Sequence, residues 1–193
     1  MNLVLIGYVA VIGSLEILKQ QKNTLINRFS STYISSNISS LEAIVLYMDS
    51  IKNDLISYIE KKSIRYINPK KGGILTALWT FGEENNIGFR YSLKNITIKQ
   101  ITIEISDYFD INPYRLYSGT EILCLMSDED YNDFLDNFYH KNNIDFIKLP
   151  ITKIGLIHDK KSRIRSDIET ASFLTKCYRD ELDKIIKLGS KNA

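Results

Sequence analysis

Apolar residues along this chain follow two patterns: short continuous runs, which are typical of buried strands, and helical spacing. The first run covers residues 3–12 and predicts a buried strand that is broken near Gly7 or Gly13. Among the apolar segments this strand is the best candidate for a surface that associates with a partner, and we expect it to form a sheet edge that is open to pairing. Helical spacing then predicts a helix from Ser14 to about Phe29.

The middle of the chain continues this alternation of helices and strands. Polar clusters within residues 30–37 interrupt the helical pattern, which resumes after Ser39 or Ser40 and continues through residues 51–60. The next predicted elements, in chain order, are a strand over 64–67, a helix over 73–86, a strand over 88–93, a helix from Thr97 and a strand over 121–126. The pattern therefore predicts an α/β (α+β) fold with helices layered on a mixed β-sheet.

The last third of the chain contains a clear helix start. Ser127 is followed by three acidic residues, which predicts an N-cap and a helix that runs through His140. After it the sequence predicts strands around 144–148 and 151–157, a charged loop over 159–163 and a final amphipathic helix over about 168–188.

The candidate chemistry lies where two lysines and two glycines directly precede an apolar helix. The first turn of a helix has unpaired backbone N–H groups and carries the positive end of the helix dipole. Adjacent glycines let a ligand approach that backbone, and lysines add positive charge. The candidate phosphate- or anion-binding residues are Asn68, Lys70, Lys71, Gly72 and Gly73. The alternative is a solvated connection whose glycines only permit a tight turn and close packing.

Composition and charge exclude several classes of function. A formal charge of +2 over 193 residues gives no electrostatic argument for nucleic acid or an anionic membrane. The apolar run near the start is too short to span a bilayer and lacks the basic region of a secretion signal. Cys124 and Cys177 have no CxxC spacing, so we expect inert thiols in a reducing cytoplasm. His140 and His158 have no clustered ligands, so no metal site is predicted.

An ordered set of motifs resembles one known domain. The set comprises Gly72-Gly73-Ile74, Ala77-Leu78-Trp79, Asn86-Ile87-Gly88, the spacing of Ile98, Thr102 and Ile105, Phe109 to Leu116, and Ser118-Gly119 before an apolar strand. Together these motifs resemble the C-terminal domain of the aminoimidazole-ribonucleotide (AIR) synthetase superfamily. That superfamily includes a hydrogenase maturation factor, selenophosphate synthetase and thiamine-monophosphate kinase. The resemblance covers nearly the whole chain and is strongest over residues 72–126.

The resemblance implies a single domain over 1–193, partly like a ferredoxin fold, with a helical insertion at about 31–62. In complete members a preceding domain supplies most ligands of ATP and magnesium, and 193 residues do not accommodate it. The family approaches its double glycine with an acid and a hydroxyl, whereas this chain has Asn68 and Lys70. An amide is neither a carboxylate base nor a strong magnesium ligand. The carrier cysteine of the maturation factor also has no counterpart at Gly189 to Ala193.

The resemblance also suggests residues for a cleft towards the missing domain. Glu16 and Glu121 lie beside apolar elements, and Ser118 and Gly119 precede the strand that contains Glu121. Surface salt bridges are the alternative role for the two glutamates. No nucleophile, base and acid can be assembled into a set, so no catalytic residue is predicted.

These features lead to three hypotheses. The first is a stand-alone, non-catalytic relative of the AIR synthetase C-terminal domain that works through protein association, with a phosphate-containing ligand as a candidate. Its partner would be a second copy, forming a homodimer, or a separately encoded nucleotide-binding domain. The second is half of a split ATP-dependent synthetase or kinase, which would use ATP and magnesium only when a partner domain completes it. The third is a truncated remnant without activity.

Overall fold

A computed structural model describes residues 1–167, 172–176 and 179–189, with the backbone alone at 187–189. In chain order the strands are β1 (Asn2–Ile6), β2 (Arg65–Ile67), β3 (Gly88–Tyr91), β4 (Ile122–Met126), β5 (Ile151–His158), β6 (Arg163–Arg165) and β7 (Ser172–Phe173). The α-helices are α1 (Val11–Gln20), α2 (Lys22–Leu25), α3 (Ser31–Lys61), α4 (Gly73–Glu84), α5 (Gln100–Tyr108), α6 (Asp128–Phe134) and α7 (Leu182–Gly189).

The described strands form one mixed sheet in the order β2-β4-β1-β5-β3-β6-β7. The pair β3–β6 is parallel, and the other pairs are antiparallel. Helices pack on both faces of the sheet, so the predicted layered α/β class is confirmed.

Strand β1 lies inside the sheet, and the prediction that it forms an open edge is wrong. It pairs with β4 on one side and with β5 on the other. Its side chains alternate between the two layers, with Leu3 and Leu5 on one face and Val4 and Ile6 on the other. Two-sided burial explains why the run is continuously apolar.

The strand is also shorter than predicted, because the chain turns at Gly7. This residue has φ +101°, and a Cβ atom there would meet the Glu121 backbone at 3.2 Å. Helix α1 begins at Val11, earlier than the predicted start at Ser14, and ends at Gln20. The rest of that predicted helix includes the separate short helix α2.

Helix α3 is continuous where the sequence predicts an interruption. The Ser30 side chain caps it by accepting the Tyr33 N–H at 3.2 Å. Ser35 and Ser36 lie on its exposed side, so they do not disturb the buried stripe that contains Ile34 and Leu41.

Two cores lie on opposite faces of the sheet, and α3 contributes to both. Its Ile44 belongs to the core shared with α1, α4 and α5. Its Met48 belongs to the other core, which is formed with α6 and the π-helical turn Leu135–His140. The helices of this second core cover β2, β4 and β1, but they do not extend over β3, β6 and β7 in the described chain. Leu156 on β5 therefore remains 60% exposed.

The predictions for the last third of the chain are confirmed in part. Ser127 is the N-cap of α6, as predicted, and it forms a reciprocal capping box with Asp130. Residues 144–148 form turns and no strand, because the Asp145 carboxylate accepts the Ile147 N–H at 2.8 Å. The final helix begins at Leu182, much later than predicted, and the strand β7 lies within the predicted helical range. Residues 168–171, which belonged to that prediction, and Cys177 lie outside the described residues.

Candidate functional site

The double glycine forms a left-handed turn at the start of α4. Gly72 has φ +78° and Gly73 has φ +63°, a region that side chains with a Cβ rarely adopt. A Cβ atom on Gly73 would lie 2.6 Å from the carbonyl oxygen of Tyr114 and 2.7 Å from that of Leu116. Both the backbone angle and the close packing therefore require glycine at position 73.

Backbone hydrogen bonds bring this turn to the segment that precedes β4. The Lys70 carbonyl accepts the Gly73 N–H at 3.1 Å and the Ser118 N–H at 3.2 Å. The side chains of Lys70 and Lys71 are exposed, and Asn68 is half-buried. Two separate parts of the predicted site are thus adjacent in the fold.

The Gly72 amide donates to a carboxylate that comes from the far end of the chain. The backbone nitrogen of Gly72 lies 2.6 Å from Oδ2 of Asp180. Oδ1 of the same carboxylate accepts from the backbone of Tyr117 at 3.1 Å and of Leu182 at 2.8 Å. Asp180 is only 4% exposed. Burial raises the pKa of Asp180, and the three N–H donors partly offset that effect.

Sequence reasoning missed Asp180, although a local signal for it exists. Asp180 precedes the first residue of α7 by two positions, and its side chain accepts the Leu182 N–H in the manner of a helix cap. That signal predicts the cap but not the contact with Gly72, which joins residues separated by 108 positions.

A cavity of about 300 Å³ lies beside the turn, between α1 and α7. Its lining includes Glu16, Lys71 and Tyr117 from the body of the domain, and Leu182, Asp183 and Ile186 from α7. Of the residues predicted for a cleft, Glu16 therefore faces an open space, where it also accepts from Gln20 Nε2 at 2.8 Å.

The other predicted cleft residues form a buried loop. The Ser118 hydroxyl accepts the Ala10 N–H at 3.0 Å. Glu121 is 1% exposed, and its Oε2 accepts the N–H groups of Gly119 and Thr120, each at 3.2 Å. Its Oε1 has no hydrogen-bond partner in the described chain. Burial raises the pKa of Glu121 to about 7, against the opposing effect of Ser118 and the loop amides.

The described residues contain no group of three His, Cys, Asp or Glu side chains that could hold a metal ion. The amide most suited to a phosphate, at Gly72, already donates to Asp180. None of the described helices is both long and apolar enough to cross a membrane.

The sequence matches no protein-family model. It also matches none of the curated proteins. The structure is similar to several solved structures, and one of them is HypE, a hydrogenase maturation protein, from E. coli. The TM-score with that protein is 0.68 at 11% identity, over 95% of this chain and 52% of HypE. The fold is that of half of HypE.

Two further solved structures support this assignment of the fold. A HypE bound to ATP has a TM-score of 0.60 at 13% identity, over 94% of this chain and 52% of its own length. The thiamine-monophosphate kinase of Stenotrophomonas maltophilia has a TM-score of 0.52 at 14% identity, over 88% of this chain and 51% of its own. The predicted resemblance to the AIR synthetase superfamily is confirmed for the fold. The chain spans about half the length of the proteins with the HypE fold that it matches.

Proposed function

We propose that this domain is the non-catalytic, associating half of an assembly with the architecture of HypE. In this proposal another domain, in the same polypeptide or in a separate one, holds most of the nucleotide. The overlap of nearly the whole chain with only half of each relative supports a missing counterpart. The amide at the glycine turn could contribute a hydrogen bond to a phosphate only after Asp180 leaves it.

One observation carries the non-catalytic role: the Gly72 N–H donates to the chain's own carboxylate at 2.6 Å. Asn68 replaces the acid that precedes the glycines in the related family, and the carboxylate that does lie at the turn, that of Asp180, accepts three backbone N–H groups. In this proposal the isolated domain therefore does not activate a phosphate for transfer.

The proposal is tested by measuring ATP hydrolysis and ATP binding with the purified chain, beside a complete HypE as a positive control. We expect no turnover above background and only weak nucleotide binding. Sedimentation velocity then gives the association state, for which we expect a homodimer or a complex with a nucleotide-binding domain. Steady ATP hydrolysis by the chain alone would contradict the non-catalytic role. A monomer that binds no such domain would contradict association.

A split ATP-dependent enzyme is the second candidate function. It is favoured by the fold similarity to a HypE that binds ATP. In that case hydrolysis should appear only when the chain is mixed with a separately produced nucleotide-binding domain from the same genome. A mixture that forms a complex without hydrolysis would support the first proposal instead.

A further inference from the structure

The C-terminal segment 180–186 is joined to the rest of the described domain by a small set of hydrogen bonds. Asp180 accepts N–H groups from two different parts of the domain, at Gly72 and at Tyr117. The Glu181 N–H adds one bond to the Arg115 carbonyl at 3.2 Å. These contacts cluster at the first two residues of the segment, so its attachment depends strongly on Asp180.

Two apolar side chains hold the described part of this segment against the core. Ile185 is 1% exposed and belongs to the core, and Leu182 packs against it partly buried, whereas Ile186 is 45% exposed. The cavity of about 300 Å³ separates part of α7 from α1 and the glycine turn. A segment with few buried apolar contacts opens more readily than the core of its domain.

We propose that residues 180–186 form a strap that detaches locally from the domain, and that Asp180 fastens it over the glycine turn. Release of the strap frees the N–H groups of Gly72 and Tyr117 and opens the cavity beside Lys71 and Glu16. The strap thus controls access to the turn. It follows from the contacts of Asp180 and Ile185, and it holds whether or not the turn binds an anion.

The two oxygens of the Asp180 carboxylate accept hydrogen bonds from different parts of the chain. Oδ2 accepts the N–H of Gly72, whereas Oδ1 accepts the N–H groups of Tyr117 and Leu182. An asparagine has one acceptor oxygen and one donor amide. In Asp180→Asn the oxygen can keep the bonds to Tyr117 and Leu182, but an NH₂ group then faces the Gly72 N–H. This variant loosens the turn while preserving the cap of α7.

Amide hydrogen exchange on the full-length chain tests the strap without any substitution. We expect the amides of Gly72, Tyr117 and Leu182 to be released by one common opening, with protection about a hundredfold or more below that of β1. Protection equal to that of β1 would show that these amides open only on global unfolding, and it would overturn the proposal.

Two variants then probe the fastening and the packing. Asp180→Asn should raise exchange at Gly72 by about tenfold or more, because bonds to a charged group are strong. Ile185→Ala should raise exchange at Gly72 as well, since it weakens the strap as a unit. Asp49→Asn is the matched control, because Asp49 lies exposed on α3, far along the chain from the strap, and forms no described hydrogen bond or ion pair. We expect no change there.

The variants can also contradict the proposal. If Asp180→Asn leaves exchange at Gly72 unchanged, Asp180 is not the fastening. If either variant raises exchange in β1 by the same factor as at Gly72, the segment is part of the cooperative core and does not detach.

Discussion

Oδ2 of Asp180 lies 2.6 Å from the backbone nitrogen of Gly72, across 108 positions of sequence. An acidic side chain therefore does lie at the glycine turn, although position 68, where the related family has an acid, is an asparagine. The acid arrives from the C-terminal segment and accepts backbone N–H groups. In this position it holds two parts of the fold together.

The lysines beside the turn provide a test of anion binding. We expect the double variant Lys70→Ala, Lys71→Ala to weaken binding of inorganic pyrophosphate by about tenfold, because both exposed ammonium groups are lost. Isothermal titration calorimetry measures the affinity. The double variant Lys160→Ala, Lys161→Ala removes the same charge elsewhere and should bind like the parent. Equal weakening in both variants, or no binding by the parent, would exclude a specific site at the turn.

Substitution of Gly73 should destabilise the fold strongly. In Gly73→Ala the positive φ of +63° adds backbone strain, and the new Cβ would lie 2.6 Å from the Tyr114 carbonyl oxygen. We expect a loss of about 3 kcal/mol in the free energy of unfolding, measured by urea denaturation. Gly119→Ala is the control for backbone strain alone, since φ is also positive there, at +152°, but its Cβ would meet only Ile12 Cγ1, at 3.4 Å. A similar loss in both variants would argue against the close contact at Gly73.

The buried carboxyl of Glu121 should make stability depend on pH. Its pKa is raised from 4.5 in the unfolded chain to about 7, so the folded state retains a proton that the unfolded state has lost between these values. The stability that protonated Glu121 contributes is fully present below the unfolded-state pKa of 4.5, and it is lost as the pH rises through the folded-state pKa of about 7. The free energy of unfolding should therefore fall by about 3 kcal/mol between about pH 5 and about pH 8.

Glu121→Gln isolates this effect, because glutamine can still accept a hydrogen bond from Gly119 or Thr120. Urea denaturation of both proteins at the two pH values gives the difference. The variant should lack most of the decrease, while other groups, including Asp180, contribute equally to both proteins. Parallel pH profiles would show that Glu121 titrates normally in the folded state.

The capping box of α6 should make a modest contribution to stability. Ser127 Oγ accepts the Asp130 N–H at 3.0 Å, and the Asp130 carboxylate accepts the Ser127 N–H at 3.2 Å. We expect Ser127→Ala to cost about 1 kcal/mol in the free energy of unfolding by urea denaturation. Ser50→Ala on the exposed face of α3 removes only a hydroxyl that donates to the Tyr47 carbonyl, and it should change stability by less than about 0.5 kcal/mol. Equal effects would contradict the capping role.

Local signals in the sequence predicted many elements correctly. The glycine turn and α4 follow from Gly72 and Gly73 before an apolar run, and the start of α6 follows from Ser127. Such predictions succeed because a cap, a positive φ or a helical stripe depends on residues within a few positions of one another. The same reasoning wrongly predicted an interruption near the start of α3. The serines there lie on the exposed side of the helix, so they do not disturb its buried apolar stripe.

The sequence by itself determined the α/β class, the approximate elements and the resemblance of its ordered motifs to one known domain. Only the tertiary structure decided that β1 lies between β4 and β5, and that Asp180 reaches Gly72. An apolar strand has the same pattern at any place where both its faces are buried, and a carboxylate next to a helix start indicates a cap rather than a distant partner. Both outcomes depend on contacts between residues far apart in the chain, which the fold creates and no local pattern encodes.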